Sequence, residues 1–551
     1  MADNVLKITA EDMTPLVAAL LEKLRQSDEL IEDLYAQNRA LKETVQLLKD
    51  EIARLKNSSK RPHIRANKKD HRKKPVEGRR PGSDKVSKKA TVEIHETIVV
   101  TPQGLPEGSK FRRRREFDVQ DLVLRPHNTR YVLEDWEAPD GTMHNAQLPA
   151  GKAQGHFGND LCAFIINQHH QCHVTQPLLH EQLTEFGIDI STGQINAILT
   201  ENKELFHDEK ADILKVGLSV STYIQTDDTG ARHNGKTGYC THIGNKFFAW
   251  FQSSNSKSRI NFLSLLNGAF NGGYQLNVEA FRYMEKEGLP SRPLVILRAS
   301  MKQRFETEKE WAEWLKDARI VNRRHIRIAT EGALFGGAIA AGLNPALSIL
   351  SDDAGQFNIP LLKHALCWIH EERHLKNLVP GKNEEKATDL AQVLDDFWTL
   401  YGKLKHYKLQ PNPHQAISIA AEFDTLFQRK TSFELLNQAL KRAFAKRAEL
   451  LLVLSEPAVP LHNNESETDI REFVKRRKVS GGTRSTSGQQ SRDTFASLKK
   501  TCRKLGVSFY AFLKDRLSGR NEIGSLGSLV QKAAMENIDL KSTNNRASIA
   551  A

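Results

Sequence analysis

Two pairs of adjacent aspartates stand at the ends of strand-like runs: Asp227-Asp228 in YIQTDDTGARHNGK and Asp352-Asp353 in LSILSDDAGQFN. Side chains alternate across a strand. Tyr223, Gln225 and Asp227 therefore share one face, and Ile224, Thr226 and Asp228 the other. At most one acid of each pair can aim at a common site. Two such acids, joined by a third from a later helix, would make a hard, oxygen-only donor set of the kind Mg²⁺ prefers. Two ions about 3.5–4 Å apart can clamp the attacking and leaving oxygens of a phosphoryl displacement. D-D-T-G and D-D-A-G also commonly cap strand ends and open turns, and on these residues alone that alternative stays open.

The elements that must position these acids can be read on either side of them. TYIQTD, YCTHIG and KFFAWFQS read as three short strands, the first turn marked by Asn234-Gly235. INFLSLLNGAF reads as a helix, a long helical insert includes KQRFETEKEWAEWLKDARI, and ATEGALFGGAIAAGL reads as a buried helix before the strand LSILSD. Residues 361–455 read as mostly helical, and the extended VPLHNN precedes a helix from about Glu465. Upstream, residues 157–205 read as three short helices. One begins near Pro177, a turn falls at Gly187, and Ser191 with Gln194 forms a capping box for the next. This is helix-turn-helix geometry, with Gln194 and Asn196 on the candidate reading helix; helical hairpins that bind no DNA share the pattern. In the same region HHQCH (His169, His170, Cys172, His173) lacks a second ligand cluster and reads as surface and groove.

The chain has 551 residues, more than one core usually organises, and a formal charge of +13. Much of that charge is local: residues 56–89 hold fourteen Lys and Arg against Asp70, Glu77 and Asp84. This Pro- and Gly-containing arm, with Arg72, Lys73, Lys74, Arg79 and Arg80, suits a polyanion partner. Before it, residues 17–56 carry heptads with Val17, Leu24, Ile31, Asn38, Val45 and Ile52 at a and mostly Leu at d. That pattern fits a parallel two-stranded coil registered by Asn38. TVEIHETIVV, FDVQDLVL and RYVLEDW suggest a small β-rich module over residues 93–150, with Lys110 and Arg112 to Arg115 adding basic character. The five cysteines are scattered and contain no C-x-x-C pair, as expected of a reducing compartment; the cytoplasm is the expected location. The longest apolar run, Ala333 to Leu343, is too short to span a bilayer, and MADNVLKITAEDM does not read as a secretory signal.

A family resemblance joins these observations. DDTGARHNGK resembles the D-E-T-G-W-R-V-N-G-K block of insertion-sequence 66 family transposases. SDDAGQFN followed by ALCWIHEERHLKNL resembles their second-acid block and its C-W-A-H-x-R-R sequel, and VPLHNNESETDIREFVKRRK resembles their third. The resemblance implies a multidomain, mainly α protein around an α/β core: a coiled coil (1–58), a basic linker (59–92), the β-rich module (93–150), a helix-turn-helix region (151–206), a retroviral-integrase-like, RNase H-like catalytic domain with helical insertions (207–505), and a C-terminal helix and tail (506–551). It implies a D-D-E triad of Asp227, Asp352 and Glu467 holding Mg²⁺ or Mn²⁺, two ions, with Arg471, Arg477 and Lys478 holding DNA phosphates. His370 is placed to orient groups in the cleft, whereas Cys367 and Trp368 read as core. The implied partners are element ends, target DNA, a second copy of the chain or a higher oligomer, and small accessory proteins of the element, with no membrane. The departures are the absence of cysteines from residues 93–150, His462-Asn463-Asn464 for D-N-N, Glu467-Thr468 for E-R, and the insert near 270–325. Two rivals are a non-catalytic DNA-binding regulator or inactive derivative, which needs no three acids in family order, and a structural coiled-coil protein, which leaves the basic arm unexplained.

The heptads carry their own test. Residues 1–58 should sediment as a parallel dimer at micromolar concentration, and Asn38→Val should raise its melting temperature while broadening the oligomer distribution. A monomer would contradict the zipper.

Overall fold

The structure, a computed structural model, describes Pro15, Glu22, Lys23, Gln26 and residues 93–149, 156–381 and 383–549, with side chains to residue 537. The heptad core positions and the basic arm, including Arg72, Lys73, Lys74, Arg79 and Arg80, lie outside the described residues. The chain divides into residues 1–122 and 123–551.

In the first unit, residues 93–122 contain no helix or strand. Over their described residues TVEIHETIVV and FDVQDLVL, expected as strands, therefore form none. Ile98, Val100 and Phe117 are exposed, and strand preference is realised only on a pleated surface with a partner to take its backbone groups. From the expected β-rich module only a hairpin forms, β1 (Asp135–Glu137) with β2 (Met143–Asn145), in the second unit.

The second unit is built on a mixed five-stranded sheet. Its strands are β3 (Tyr223–His233), β4 (Lys236–Gly244), β5 (Ala249–Ser254), β8 (Ser348–Ser351) and β9 (Lys363–Leu366), in the order β5-β4-β3-β8-β9. β3, β4 and β5 form an antiparallel meander, and β8 and β9 add in parallel to β3. The β3–β4 hairpin turns at Asn234-Gly235, both at positive φ (49° and 73°), as a two-residue loop between right-twisted strands requires. β9 is a strand within the stretch expected to be mostly helical. Its four residues give no readable alternation, and parallel pairing to β8 decides their state.

Three helices precede the sheet: α1 (Asn159–His170), α2 (Gln176–Glu185) and α3 (Thr192–Thr200). α2 has Pro in its first turn, and α3 opens on the expected Ser191–Gln194 capping box with both reciprocal hydrogen bonds formed. Ile165, Ile166, Leu179, Leu183, Ile195 and Leu199 fill the space between them. α4 (Glu204–Val220) then leads into β3.

One sheet face, with Ile224, Ile243, Trp250 and Ile349, packs in the main core with α5 (Arg259–Gly268) and α9 (Arg323–Ala340). Between these helices lie α6 (Val278–Lys286), α7 (Ser291–Ala299), α8 (Glu308–Asp317) and the two-residue pair β6 (Tyr274–Gln275) and β7 (Arg304–Phe305). Beyond β9, α10 (Trp368–Lys376), α11 (Glu384–Leu409), α12 (Pro413–Phe427), α13 (Glu434–Ala445) and α14 (Arg447–Leu450) build a separate core around Trp368, Phe397 and Phe423. The second sheet face receives α15 (Asn464–Ser480), through Ile470 and Phe473 against Ala231, Cys240 and Phe251. α17 (Phe509–Ser518) and α18 (Leu526–Ile549) pack back on α1 and α4. The main core is thus continuous across residues 206 and 505.

The free edge of β5 is covered by α16 (Thr486–Lys504). Asp493 accepts from the Ser253 amide at 2.6 Å, Ser497 from Phe251 at 2.9 Å and Thr501 from Ala249 at 3.2 Å. Positions four apart on a helix thereby satisfy alternate amides of a strand, which removes an edge that would otherwise pair with another chain.

α9 approaches its neighbours through glycine. A Cβ on Gly337 would collide with the Gly273 carbonyl and the Asn267 amide, whereas one on exposed Gly402 in α11 would meet nothing within 4 Å. Gly337→Ala should destabilise the protein by about 2 kcal/mol. Gly402→Ala should stabilise it by roughly 0.5–1 kcal/mol. Paired denaturant titrations check both signs.

Candidate active site

Strand pairing brings the first two acids together. β3 and β8 are in register only over Tyr223–Gln225 and Ser348–Leu350. Asp227 and Asp352 each lie two residues beyond the last of these pairs. Asp227 is not at a strand end, as expected from sequence, because β3 continues against β4 to His233. It stands where the parallel pairing stops. Parity does the aiming: Tyr223 and Leu350 pack together on the second face, so Asp227 and Asp352 follow onto that same face.

α15 carries the third acid over this face, and buried polar contacts fix its start. Asn463, fully buried, donates from Nδ2 to the Thr226 carbonyl at 3.0 Å, and its amide donates to Cys367 Sγ at 3.2 Å. Gln225 donates to Glu465 at 2.9 Å, and His242 Nδ1 lies 2.7 Å from Ser466 Oγ. Glu467, one turn into the helix, then pairs with Arg471 at 2.9 Å and Arg373 at 3.3 Å, with His370 at 3.8 Å. Arg373, on α10, is a residue that reading the sequence overlooked. It sits in HEERHL, within the block that resembles C-W-A-H-x-R-R, and that was the available signal. Cys367 and Trp368 are core as expected: Trp368 is buried and donates to the Leu450 carbonyl at 2.9 Å.

The electrostatics separate the acids. Burial pushes Asp227 up from its ordinary value to about 7, and the charges of Asp352, Asp228 and Glu467 add to the rise, partly offset by the Asp228 amide that donates to it. Asp228 faces the other way, where its Oδ2 accepts from Gln356 at 2.9 Å. It too is raised, first by burial, while its side-chain hydrogen bonds with Thr241 and Gln356 oppose the rise. Asp353 sits at φ 82° and pairs with Lys446. His370 is pushed down by burial, while Asp352 and Glu467 pull it back up, so its ring faces the acids.

Asp227 and Asp352 form no ion pair among the described residues, and Glu467 is held by arginines. Among those residues no three His, Cys, Asp or Glu groups already surround one point closely enough to hold a metal ion. The donor chemistry still fits Mg²⁺, which takes one or two carboxylates directly and keeps several waters. Asp227, which burial and then the charge of Asp352 hold above its ordinary range, is the group a divalent cation would relieve.

The other residues singled out from sequence are distributed around this site. Arg471 and Lys478 are exposed on α15, and Arg477 donates to the Gly230 carbonyl of β3. Gln194 and Asn196 are exposed on α3; Gln194 closes the capping box, and Asn196 accepts from Gln176 at 3.2 Å. HHQCH is corrected at His170, which is 7% exposed and lies 4.5 Å, centroid to centroid, from Phe495, because α16 covers this end of α1; Cys172 is exposed as expected. No described helix is long and apolar enough to cross a membrane.

The raised Asp227 has a thermodynamic consequence. Between its ordinary value near 3.8 and about 7 the folded chain holds a proton that the unfolded chain has released. Stability therefore falls as pH rises through that window. Asp227→Asn should melt above wild type at pH 8 in metal-free buffer, and the gain should vanish near pH 4. Calorimetry at both pH values checks it.

The sequence profile of the Transposase IS66 family matches residues 349–491, a span that holds Asp352 and Glu467 and begins after Asp227. The chain is also 40% identical over 307 residues to the uncharacterized protein y4jO of Sinorhizobium fredii (strain NBRC 101917 / NGR234), covering 55% of this chain and 94% of that protein. On the strength of these matches, the chain belongs to the IS66 transposase family.

Proposed function

We propose that the protein is a DDE-type DNA transposase that binds the terminal inverted repeats of its element and catalyses metal-dependent strand cleavage and strand transfer. The observation that carries this reading is the convergence of Asp227, Asp352 and Glu467 on one face of the sheet, from two adjacent parallel strands and the helix laid over them. Numbered within the sheet, the strand order is 3-2-1-4-5 with the second strand antiparallel to the rest. That order supports an RNase H-like, retroviral-integrase-like catalytic domain.

In this reading the three acids hold Mg²⁺ or Mn²⁺, two ions, which supply Lewis-acid activation of water and offset charge on the phosphoryl oxygens. The chain's own residues do the rest. Asn463 and the Gln225–Glu465 bond hold the third acid over the first. Arg373 and Arg471 neutralise Glu467 before the site is loaded, and then become available to phosphate oxygens with Arg477 and Lys478. α3, with Gln194 and Asn196, discriminates the element ends in a helix-turn-helix. The basic arm with Arg72, Lys73, Lys74, Arg79 and Arg80 adds salt-dependent affinity for any duplex, the element ends and target DNA alike. Cleavage exposes a 3′ hydroxyl, which attacks target DNA without a protein-linked intermediate. The protein would work in the bacterial cytoplasm as a dimer or higher oligomer, alongside small accessory proteins of the same element.

The test separates cutting from binding. Asp227→Asn, Asp352→Asn and Glu467→Gln should each cut a labelled end duplex at least about a thousandfold more slowly than wild type in Mg²⁺ or Mn²⁺. All three should retain end binding on a gel, and Asp228→Asn should lose much less activity. A wild type that binds ends and never cuts would leave a DNA-binding regulator.

A further inference from the structure

A second cluster of charge lies away from the acids, in a cavity where α1, α15 and α16 meet. Its polar lining is His170, His173, Arg476, Arg492, Lys499 and Lys500, with the acids Asp469 and Glu472; Phe251, Phe473 and Ala496 form its apolar wall. The acids are already committed. Asp469 pairs with His242 at 3.3 Å, Lys500 at 3.3 Å and Lys504 at 2.9 Å. Glu472 pairs with Lys499 at 3.1 Å, Arg503 at 3.3 Å and Lys500.

Cationic and donor capacity is left over. Arg476 makes no ion pair among the described residues; its guanidinium is spent on the His169 carbonyl and ring. Arg492 lies over the Phe473 ring at 4.7 Å, donates from Nη2 to Ser253 Oγ at 3.0 Å and reaches Asp493 only at 3.6 Å, which leaves its Nε over. Asp493 itself is occupied by the amide and hydroxyl of Ser253. Three buried nitrogens on the lining have no hydrogen-bond partner: His170 Nε2, His173 Nδ1 and Arg492 Nε. His170 and Arg492 are only 7% and 8% exposed, so these groups are largely withdrawn from bulk solvent and gain from a partner inside the cavity. Burial and Arg492 lower Arg476 to about 10, and burial, opposed by Glu472, lowers Lys499 to about 8. His173, at φ 63°, is held in a backbone conformation uncommon for a side chain of its size, which keeps the ring at the cavity.

We propose that this cavity binds a phosphate-type oxyanion, held by Arg476, Arg492 and Lys499 with the imidazoles of His170 and His173, and that the anion fastens α1 to α15 and α16. Several donors arriving from three helices suit a tetrahedral oxyanion, which accepts from many directions, better than a planar carboxylate. The three orphaned nitrogens and the uncompensated guanidinium would all be satisfied by one ligand. The site is independent of the acids on the sheet.

The test uses the full chain at pH 7, with inorganic phosphate titrated against chloride at constant ionic strength. Phosphate should raise the melting temperature saturably and broaden its ³¹P resonance, and Arg476→Gln should move the midpoint at least tenfold. Should that variant fail to fold, Arg476→Lys keeps the charge, loses the planar fork, and should still move the ³¹P midpoint severalfold. Phosphate no more effective than chloride, or an unmoved midpoint in either variant, would overturn the site. A 5′-phosphorylated dinucleotide that displaces phosphate would identify a nucleic-acid terminal phosphate as the source, and one that does not would identify the free anion. Displacement by the 5′-hydroxyl dinucleotide as well would identify an internal phosphodiester as the source.

Discussion

Everything around the sheet serves one constraint: two carboxylates must stay close on a partly buried face without a cation of their own. Parallel pairing of β3 with β8 makes the closeness unavoidable, since it aligns Gln225 with Leu350 and leaves Asp227 and Asp352 at equal distances past the last pair. Burial and mutual repulsion then keep Asp227 protonated to about pH 7. A fold selected for stability alone would place amides at such positions, because an unpaired buried charge costs more than a hydrogen-bonded neutral group. Sites that tolerate such a cost are commonly functional.

The third acid is managed differently. Glu467 is compensated in advance by Arg373 and Arg471, and its helix is seated by neutral hydrogen bonds and a buried ionic network rather than by a large apolar face. Ser466, Asp469, Ile470 and Phe473 are the buried residues of α15, and only two of them are apolar. Asp469 is depressed well below the carboxylate range by His242, Lys504 and Lys500, despite its burial. Such a network fixes one helix orientation and with it the position of Glu467.

How much of this was legible followed from what the residues say locally. The β3–β4 hairpin was plain from Asn234-Gly235, the opening of α3 from Ser191 and Gln194, and the buried α9 from ATEGALFGGAIAAGL. The acids were legible as pairs, although Asp227-Asp228 lie inside β3 and not at its end, and alternation along the strand puts the two on opposite faces. β9 was hidden because four residues carry no period, and its state comes from a partner far away in sequence. TVEIHETIVV failed in the opposite sense, since strong strand residues found no partner. α16 was hardest to read. TSGQQSRDTFASLKKTCRK looks like a solvated helix, yet Asp493, Ser497, Thr501, Lys499 and Lys500 are all buried, because their polar groups serve the edge of β5 and the acids of α15. Likewise His170 of HHQCH was not readable as buried, and only the packing of α1 on α16 made it part of the wall of a cationic cavity.

The central claim is that the repulsion between Asp227 and Asp352 is relieved by a divalent cation. Its most direct measurement is Mn²⁺ binding to the DNA-free protein at pH 7.5, followed by electron paramagnetic resonance of the free ion. The account predicts saturable binding to wild type that is lost or weakened more than tenfold in Asp352→Asn and retained in Asp353→Asn. Equal binding by wild type and Asp352→Asn would contradict it.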